Sequence, residues 1–340
     1  MQTELVKASA AAMDRAARLL AGGELVAFPT ETVYGLGANA LDEAAVRKIF
    51  EAKGRPADNP LIVHIAERSA LEPLVASVDA RAAKLIDAFW PGPLTLIFRR
   101  ADSVPAIVSA GLPTVAVRIP SHPDALALIR RAGLPIAAPS ANPSGRPSPT
   151  TAQHVYEDLV GRVPLIIDGG PCLVGVESTV VDMTSDTPAV LRPGGVTVEA
   201  LRALLPDIAV DPAVLAPVRE GAPTPSPGMK HRHYAPRARI IVVEGAPDRV
   251  AETVRMLYAR ADAPAAILCA TGRVPCYPGL KTVDLGADAA EMAANLFSAF
   301  RMLDERGIAV AFAESTDSNG IGLALMNRLL RAADFEVVRA

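Results

Sequence analysis

The chain has 340 residues, which is enough for two domains with separate hydrophobic cores. Half of the residues are hydrophobic and only 4% are aromatic, a balance that favours an α/β protein packed through small aliphatic side chains. The formal net charge of -3 excludes a general electrostatic attraction to nucleic acid, so any RNA contact has to be local or made through a partner.

The cysteines and the N-terminus indicate the cellular compartment. Cys172, Cys269 and Cys276 form no CxxC pair and leave one cysteine over, so neither a zinc site nor a disulfide framework is predicted. This usage fits a reducing cytosol. Glu4 and Asp14 stand where a signal peptide needs a basic start and an apolar core. No charge-free apolar run reaches the roughly 18 residues of a membrane helix, and we expect a cytoplasmic protein.

The first two thirds of the chain alternate between helical and strand-like patterns. Helices are predicted at 9–20, 42–52, 79–90, 123–131, 150–160 and 197–205, and strands at 24–28, 61–65, 94–98, 114–119, 134–138, 165–168, 178–183 and 189–191. Strands outnumber helices and their connections vary. We therefore expect a mixed, twisted α/β or α+β domain over 9–205 rather than a regular doubly wound sheet.

A proline-rich segment, 206–237, follows this domain and predicts a semi-rigid extended linker. It ends in SPGMKHRHYAP, a locally basic sequence that an inert tether does not need. From 238 to 340 strand and helix patterns alternate regularly, which predicts a small three-layer, Rossmann-like domain with a parallel sheet. That domain has no GxGxxG, and the chain has no GxxxxGK[ST], so a standard P-loop is excluded.

The sequence KGRPADNP, which begins at Lys53, places two cations one residue apart between a helix and a strand. Pro56 and Pro60 bias the residues before them towards extended backbone, in which side chains two apart point the same way. We therefore expect Lys53 and Arg55 to point together, with Asn59 close by. Paired cations on a stiff loop suit a polyphosphate. By itself the segment is explained at least as well by a helix C-terminus with dipole-complementing cations.

Other polar residues stand in or between apolar strands. Arg118 is costly to bury unless it meets an anion, either a structural ion-pair partner or a substrate carboxylate. His64 is explained more readily as a hydrogen-bonded core histidine than as a ligand. Ser140 and Asn142 alone are ordinary turn residues. No single one of these signals specifies a function.

Together these stretches resemble the YrdC-like domain of L-threonylcarbamoyladenylate synthases. The matching stretches are PTETVYGLGANAL (29–41), the Lys53/Arg55 pair with NPL (59–61), PSANPSGRPSP (139–149), ESTV (177–180) and LRPG (191–194). The resemblance continues through the linker into 322–333, so it covers nearly the whole chain and is similar to the two-domain version of the enzyme.

The resemblance implies a cytoplasmic nucleotidyltransferase that joins L-threonine, bicarbonate and ATP into threonylcarbamoyl-AMP and releases pyrophosphate. Its product would be the donor for N6-threonylcarbamoyladenosine in tRNA, used by downstream tRNA threonylcarbamoyl-transfer proteins, with no stable nucleic-acid binding required. The implied fold is a twisted, mostly open sheet with a large concave positive surface.

The resemblance also implies the residues of the site. The threonine site falls on Thr32, His64, Arg118, Ala138 and Ser178. The ATP site falls on Arg55, Asn59, Thr114, Ser140, Ser148, Arg192 and Tyr234. The catalytic residues, expected near the phosphates and a Mg²⁺ ion whose ligands stay unassigned, are Lys53, Arg55, Ser140 and Asn142. We expect the linker around Tyr234 to fold over the nucleotide as a lid.

Two alternative functions stay open. A hydrogenase-maturation carbamoyltransferase shares the YrdC-like module but also carries an acylphosphatase unit and CxxC zinc fingers, which this sequence lacks. A non-catalytic RNA-binding module would use a concave basic face, which the negative net charge and low aromatic content support weakly. The presence of Lys53, Arg55, Ser140 and Asn142 favours catalysis.

Overall fold

A computed structural model describes residues 1–56, 58–216 and 234–340. Within these ranges two β-sheets organise the chain, an eleven-stranded sheet followed by a five-stranded one. The predicted mixed α/β class, with a large twisted sheet and a second parallel-sheet domain, is confirmed.

The large sheet mixes parallel and antiparallel pairs. Its strands are β1 (Glu4–Lys7), β2 (Val26–Phe28), β3 (Gly35–Asn39), β4 (Ile62–His64), β5 (Leu94–Arg99), β6 (Thr114–Arg118), β7 (Ile136–Ala137), β8 (Leu165–Asp168), β9 (Thr179–Asp182), β10 (Ala189–Arg192) and β11 (Ala209–Val210). They lie in the order β1-β8-β2-β3-β7-β4-β6-β5-β9-β10-β11. Because neighbours in the sheet are rarely neighbours in sequence, loops from distant parts of the chain meet at the strand ends.

Helices pack against this sheet and begin at side-chain caps. They are α1 (Ala10–Ala21), α2 (Glu43–Lys53), α3 (Ala80–Phe89), α4 (Pro123–Ala132), α5 (Ala152–Leu159) and α6 (Val198–Leu204). The Asp42 carboxylate accepts hydrogen bonds from the first amides of α2, and Thr151 caps α5 in the same way. Helix α2 ends at Gly54, whose φ of 59° lies in the left-handed region that favours glycine.

The small sheet is parallel throughout, in the order β14-β13-β15-β12-β16. Its elements are β12 (Arg239–Glu244), α7 (Pro247–Ala259), β13 (Ala265–Cys269), β14 (Thr282–Asp284), α8 (Ala289–Glu305), β15 (Val310–Glu314), α9 (Gly322–Ala332) and β16 (Val337–Arg339). Ile240 and Val242 pack with α8 and α9, whereas Ile241 and Val243 pack with α7. Both faces are therefore covered by helices, as a parallel sheet requires.

Four strands were not predicted. β1, β11 and β16 are edge strands of two to four residues, too short to show a periodic pattern. β3 lies in the motif PTETVYGLGANAL (29–41), for which no strand is predicted. A Cβ atom on Gly37 would lie 2.8 Å from side-chain atoms of both Phe28 and Ile136, so this strand needs glycine to fit between its neighbours.

The predicted domain limits remain a prediction. β1 and β11 lie outside the expected 9–205 range, yet each pairs with a strand of the large sheet. Residues 217–233, most of the predicted linker, lie outside the described residues.

Buried charges join the two units. Arg301 of α8 pairs with Asp158 of α5 at 2.6 Å, and Arg328 of α9 pairs with Glu177 at 2.7 Å. Each of these four side chains is at most 8% exposed. A buried charge without its partner carries a large desolvation penalty, so these pairs specify how the units dock.

The docking predicts a contrast between two glycines of the same loop. Gly175 has a φ of +72°, and a Cβ atom there would lie 2.3 Å from the Ala294 Cα of α8. Gly170 has a φ of +87° with open space around it. We expect Gly170→Ala to lower the free energy of unfolding by about 1–2 kcal/mol through backbone strain alone. Gly175→Ala should cost about 1–3 kcal/mol more, because the backbone of α8 has to move.

Urea denaturation of the two variants beside the parent protein measures both values. Equal losses in the two variants would contradict the packing of this loop against α8.

Candidate functional site

A polar cleft lies where the ends of β4, β6, β7 and β10 meet the start of β9 and the turn after β2. It encloses about 610 Å³ of empty space when its open, solvent-filled mouth is included. All the residues predicted for threonine line it: Thr32, His64, Arg118, Ala138 and Ser178. Of the residues predicted for ATP it is lined by Arg55, Ser140, Arg192 and Tyr234.

Arg118 is buried in the cleft wall and has protein partners. Its Nη2 forms an ion pair with Glu31 at 2.6 Å, and its Nη1 donates to the Thr32 hydroxyl at 2.9 Å. Its Nε donates to the Gly92 carbonyl at 3.2 Å. Burial tends to raise the pKa of Glu31, but Arg118 holds it below its usual range. The structural ion pair considered from the sequence is therefore present, although Arg118 also faces the cleft.

His64 is buried at the end of β4, and its Nδ1 lies 3.2 Å from the Ile62 carbonyl oxygen. Its ring meets that of Phe28 edge-on, with centroids 6.2 Å apart. Burial, and then the charge of Arg118, lower the pKa of His64 to about 3. The imidazole is therefore neutral at physiological pH, and it has the contacts of a core histidine while lining the cleft.

The extended backbone that was expected to make Lys53 and Arg55 point the same way is absent at Lys53. Lys53 is the last residue of α2 rather than part of an extended segment, because the chain turns only at Gly54. Its ammonium donates to the carbonyl oxygens of Ser140 and Asn142. Lys53 therefore binds the loop 139–149 to α2, whereas Arg55 reaches the cleft itself.

The two cations differ in their partners but share an environment. The Arg55 guanidinium donates to the carbonyl oxygens of Asn59 at 3.3 Å and Pro60 at 2.9 Å. Burial lowers its pKa to about 10. Burial, and then the charge of Arg55, lower the pKa of Lys53 well below its usual value. The two buried cations therefore disfavour each other's charge, and a bound anion near Arg55 would offset this repulsion.

Several predicted residues are not among those lining the cleft. Thr114 starts β6, at the end of the strand opposite to Arg118, which lines the cleft. Ser148 is fully buried and donates to the Glu177 carboxylate. Asn59 and Asn142 are buried and are not among the residues that line the cleft.

A second cluster of buried charges contributes Glu177 and Arg192 to the cleft lining. Glu177, which lines the cleft, accepts from Ser148 and from the Arg328 Nε. Arg192 donates from its Nε to the Ser178 carbonyl at 3.1 Å and from its Nη2 to the Ser178 hydroxyl at 3.2 Å. Sequence reasoning missed Glu31 and Arg328. Glu31 stands inside a matching motif, whereas Arg328 lies in a helix with no sign of its distant partner.

The described part of the chain meets the requirements of neither a metal site nor a membrane-spanning helix. No group of three or more His, Cys, Asp or Glu side chains there could hold a metal ion. No helix in that part is both long and apolar enough to cross a membrane.

Comparison with known proteins agrees with this geometry. A family model described as "Telomere recombination" matches residues 18–194, and one described as "Threonylcarbamoyl-AMP synthase, C-terminal domain" matches residues 196–334. The threonylcarbamoyl-AMP synthase of Pyrococcus abyssi is 49% identical over 95% of this chain and 94% of its own, and that of Bacillus subtilis 48% over 96% and 94%. The crystal structure of P. abyssi Sua5 complexed with L-threonine matches with a TM-score of 0.94 at 46% identity, covering 99% of this chain and 100% of that one.

A YrdC-like domain with a polar cleft, followed by this type of C-terminal domain, defines a class of two-domain enzymes. The chain belongs to the threonylcarbamoyl-AMP synthase family. The resemblance inferred from the motifs is confirmed.

The buried neutral His64 predicts a pH-dependent stability. An unfolded histidine has a pKa near 6.5, and in the folded protein the value is about 3. The unfolded state therefore binds the proton first, so stability is lost as the pH falls from 6.5 towards 3. Between pH 7 and pH 5 this loss amounts to about 2 kcal/mol for His64. We expect His64→Gln to reduce the difference in unfolding free energy between these pH values by that amount.

Chemical denaturation without ligands at both pH values measures this. His154, whose pKa burial lowers to about 4, should contribute separately, so His154→Gln is the matched variant and the double variant should lose both contributions. An unchanged pH dependence in His64→Gln would contradict the burial of a neutral ring.

Proposed function

We propose that the protein is an L-threonylcarbamoyladenylate synthase, a nucleotidyltransferase that converts L-threonine, bicarbonate and ATP into threonylcarbamoyl-AMP and pyrophosphate. The observation that carries the proposal is that Arg55, Arg118 and Ser140, from three separate parts of the chain, line one cleft. Its product would serve tRNA threonylcarbamoyl-transfer proteins in the cytoplasm.

Threonine is proposed to bind beside Arg118. The Glu31 carboxylate and Gly92 carbonyl hold the guanidinium in place at the cleft lining, where it can form a charge-assisted hydrogen bond to the substrate carboxylate. Thr32 and His64 lie on the same side of the cleft and would contact the rest of the amino acid, together with Ala138 and Ser178. The similar protein P. abyssi Sua5 has been crystallised in complex with L-threonine, which supports this half of the site.

ATP is proposed to bind along the wall formed by Arg55, Ser140, Arg192 and Tyr234. The guanidinium groups of Arg55 and Arg192 suit phosphate oxygens. Lys53 would act by holding the Ser140 loop, since its ammonium already binds two carbonyls of that loop. Asn59, Thr114, Ser148 and Asn142 remain proposed members of the site. Mg²⁺ is proposed to arrive with ATP, because Mg²⁺ is commonly held by substrate phosphates and a few protein oxygens.

The chemistry needs positioning more than a protein nucleophile. The amine of threonine and bicarbonate give a carbamate with loss of water. A carbamate oxygen then attacks the α-phosphorus, a new P–O bond forms, and the bond to the β-phosphate oxygen breaks to release pyrophosphate. For such a transfer, alignment and charge neutralisation supply most of the rate enhancement. Arg118 at the carboxylate and Arg55 at the phosphates would meet both demands.

The direct test is pyrophosphate release by the purified full-length protein without RNA. We expect release only when threonine, bicarbonate and ATP are all present, because the carbamate must form before the α-phosphorus is attacked. Pyrophosphate release that does not depend on threonine or bicarbonate would contradict the proposal. If the protein releases no pyrophosphate but binds RNA, the non-catalytic alternative is favoured.

Two substitutions should separate the halves of the site. Lys53→Ala should abolish pyrophosphate release while threonine still binds, because the Ser140 loop loses its anchor. Arg118→Ala should instead raise the threonine concentration needed for half-maximal rate by about tenfold or more, the loss expected for a charge-assisted hydrogen bond, with less effect on ATP.

Steady-state kinetics and threonine calorimetry on both variants give the comparison. Mild and equal effects of the two changes would undermine the assignment of roles.

A further inference from the structure

The second domain contributes one fully buried charge to the cleft wall. Arg328, on α9, has 0% of its side chain exposed and is the largest fully buried side chain of the described chain. Its Nε donates to the Glu177 Oε2 at 2.7 Å, and its Nη2 donates to the Pro193 carbonyl at 3.1 Å. Its guanidinium carbon lies 5.2 Å from the centroid of the Tyr234 ring, within the range of a cation–π contact.

Each of these contacts leads to the ATP side of the cleft. Glu177 lines the cleft and is bonded to Ser148 by its other oxygen. Pro193 follows Arg192 in the chain, and Tyr234 lines the cleft. None of the residues proposed for threonine is hydrogen-bonded to Arg328 in the described residues.

We infer that Arg328 is a positioning residue for the ATP half of the site, fixing Glu177, Tyr234 and the turn after β10 from the second domain. This inference rests on the proposed synthase function and adds to it a specific task for the C-terminal domain.

The electrostatic reason lies in the pairing of Glu177. A carboxylate in the wall of a phosphate-binding cleft repels the ligand unless a cation neutralises it. Arg328 supplies that cation from outside the cleft, so Arg192 keeps its hydrogen bonds to Ser178 and its place in the lining. Without Arg328, the buried carboxylate has Arg192 as the neighbouring cation with which to pair, and that cation would be drawn away from the nucleotide.

The other interdomain arginine provides a matched control. Arg301 is also buried, reaches Asp158 at 2.6 Å and donates to the carbonyl of a loop proline, Pro147. Asp158 and Pro147 are not among the residues that line the cleft. The two arginines thus dock the same domains in the same manner, and they differ in whether their partner reaches the cleft.

The experiment compares R328M and R301M in the full-length protein, at a temperature where thermal unfolding shows both to be folded. We expect both to unfold at a lower temperature than the parent. R328M should raise the KM for ATP about tenfold or more, the loss of one charge-assisted contact, with the KM for threonine changed less than threefold. R301M disturbs the loop 139–149 through Pro147 but leaves the Glu177 carboxylate paired, so it should raise the KM for ATP several times less than R328M does.

Removing the negative charge of Glu177 tests whether its repulsion of the nucleotide explains the effect of R328M. In the double variant R328M/E177Q no unpaired carboxylate remains, so the KM for ATP should return to within about threefold of that of E177Q alone. Arg328→Lys, which keeps the charge but not the planar fork, covers the case in which R328M does not fold and should raise the KM for ATP severalfold.

Equal KM changes in R328M and R301M, an equal rise for both substrates, or no rescue by E177Q would each overturn the inference. A parent enzyme that releases no threonine-dependent pyrophosphate would instead overturn the proposed function, so the two failures are distinct.

Discussion

The structure depends on one constraint: charged side chains buried away from solvent need partners of opposite charge or hydrogen-bond acceptors. The cleft is surrounded by Lys53, Arg118, Arg192 and Arg328, each less than a tenth exposed. In a medium of low polarity each of them needs a partner in good geometry, since an unpaired buried charge destabilises the fold by several kcal/mol. The loops that supply the partners are therefore fastened to the elements that carry these cations.

The same constraint explains why the cleft is made of irregular backbone on a rigid base. Arg118 ends a strand and takes its partner Glu31 from the turn after β2, while Lys53 ends a helix and takes its acceptors from the loop 139–149. Each bond joins a regular element to a loop. Preorganised loops of this kind lower the cost of aligning two substrates, which is the main requirement of a phosphoryl-type transfer.

Local signals predicted most of the fold but not its edges. The predicted helices 42–52 and 150–160 are present because their ends depend on local contacts, such as the caps made by Asp42 and Thr151 and the left-handed glycine at 54. The strand Gly35–Asn39 escaped prediction, since glycine there serves contacts with Phe28 and Ile136 that only the sheet creates. The short edge strands carry too few residues for periodicity to detect.

The site residues also fall into two groups. Some are recognisable from their sequence neighbours, and others are brought into the site only by the fold. Motif residues such as Ser178 and Arg192 could be found because their stretches match a family as strings. The extended backbone predicted at Lys53 is wrong, because Lys53 is the last residue of helix α2 and the prolines at 56 and 60 restrict only the residues next to them. Arg328 offered no signal at all, since its carboxylate partner is 151 residues away. In the sequence, Arg328 cannot be distinguished from a solvent-exposed arginine of an amphipathic helix, and only the fold shows that it is buried. The domain that supplies it is then part of the cleft's electrostatics, not only a neighbour of it.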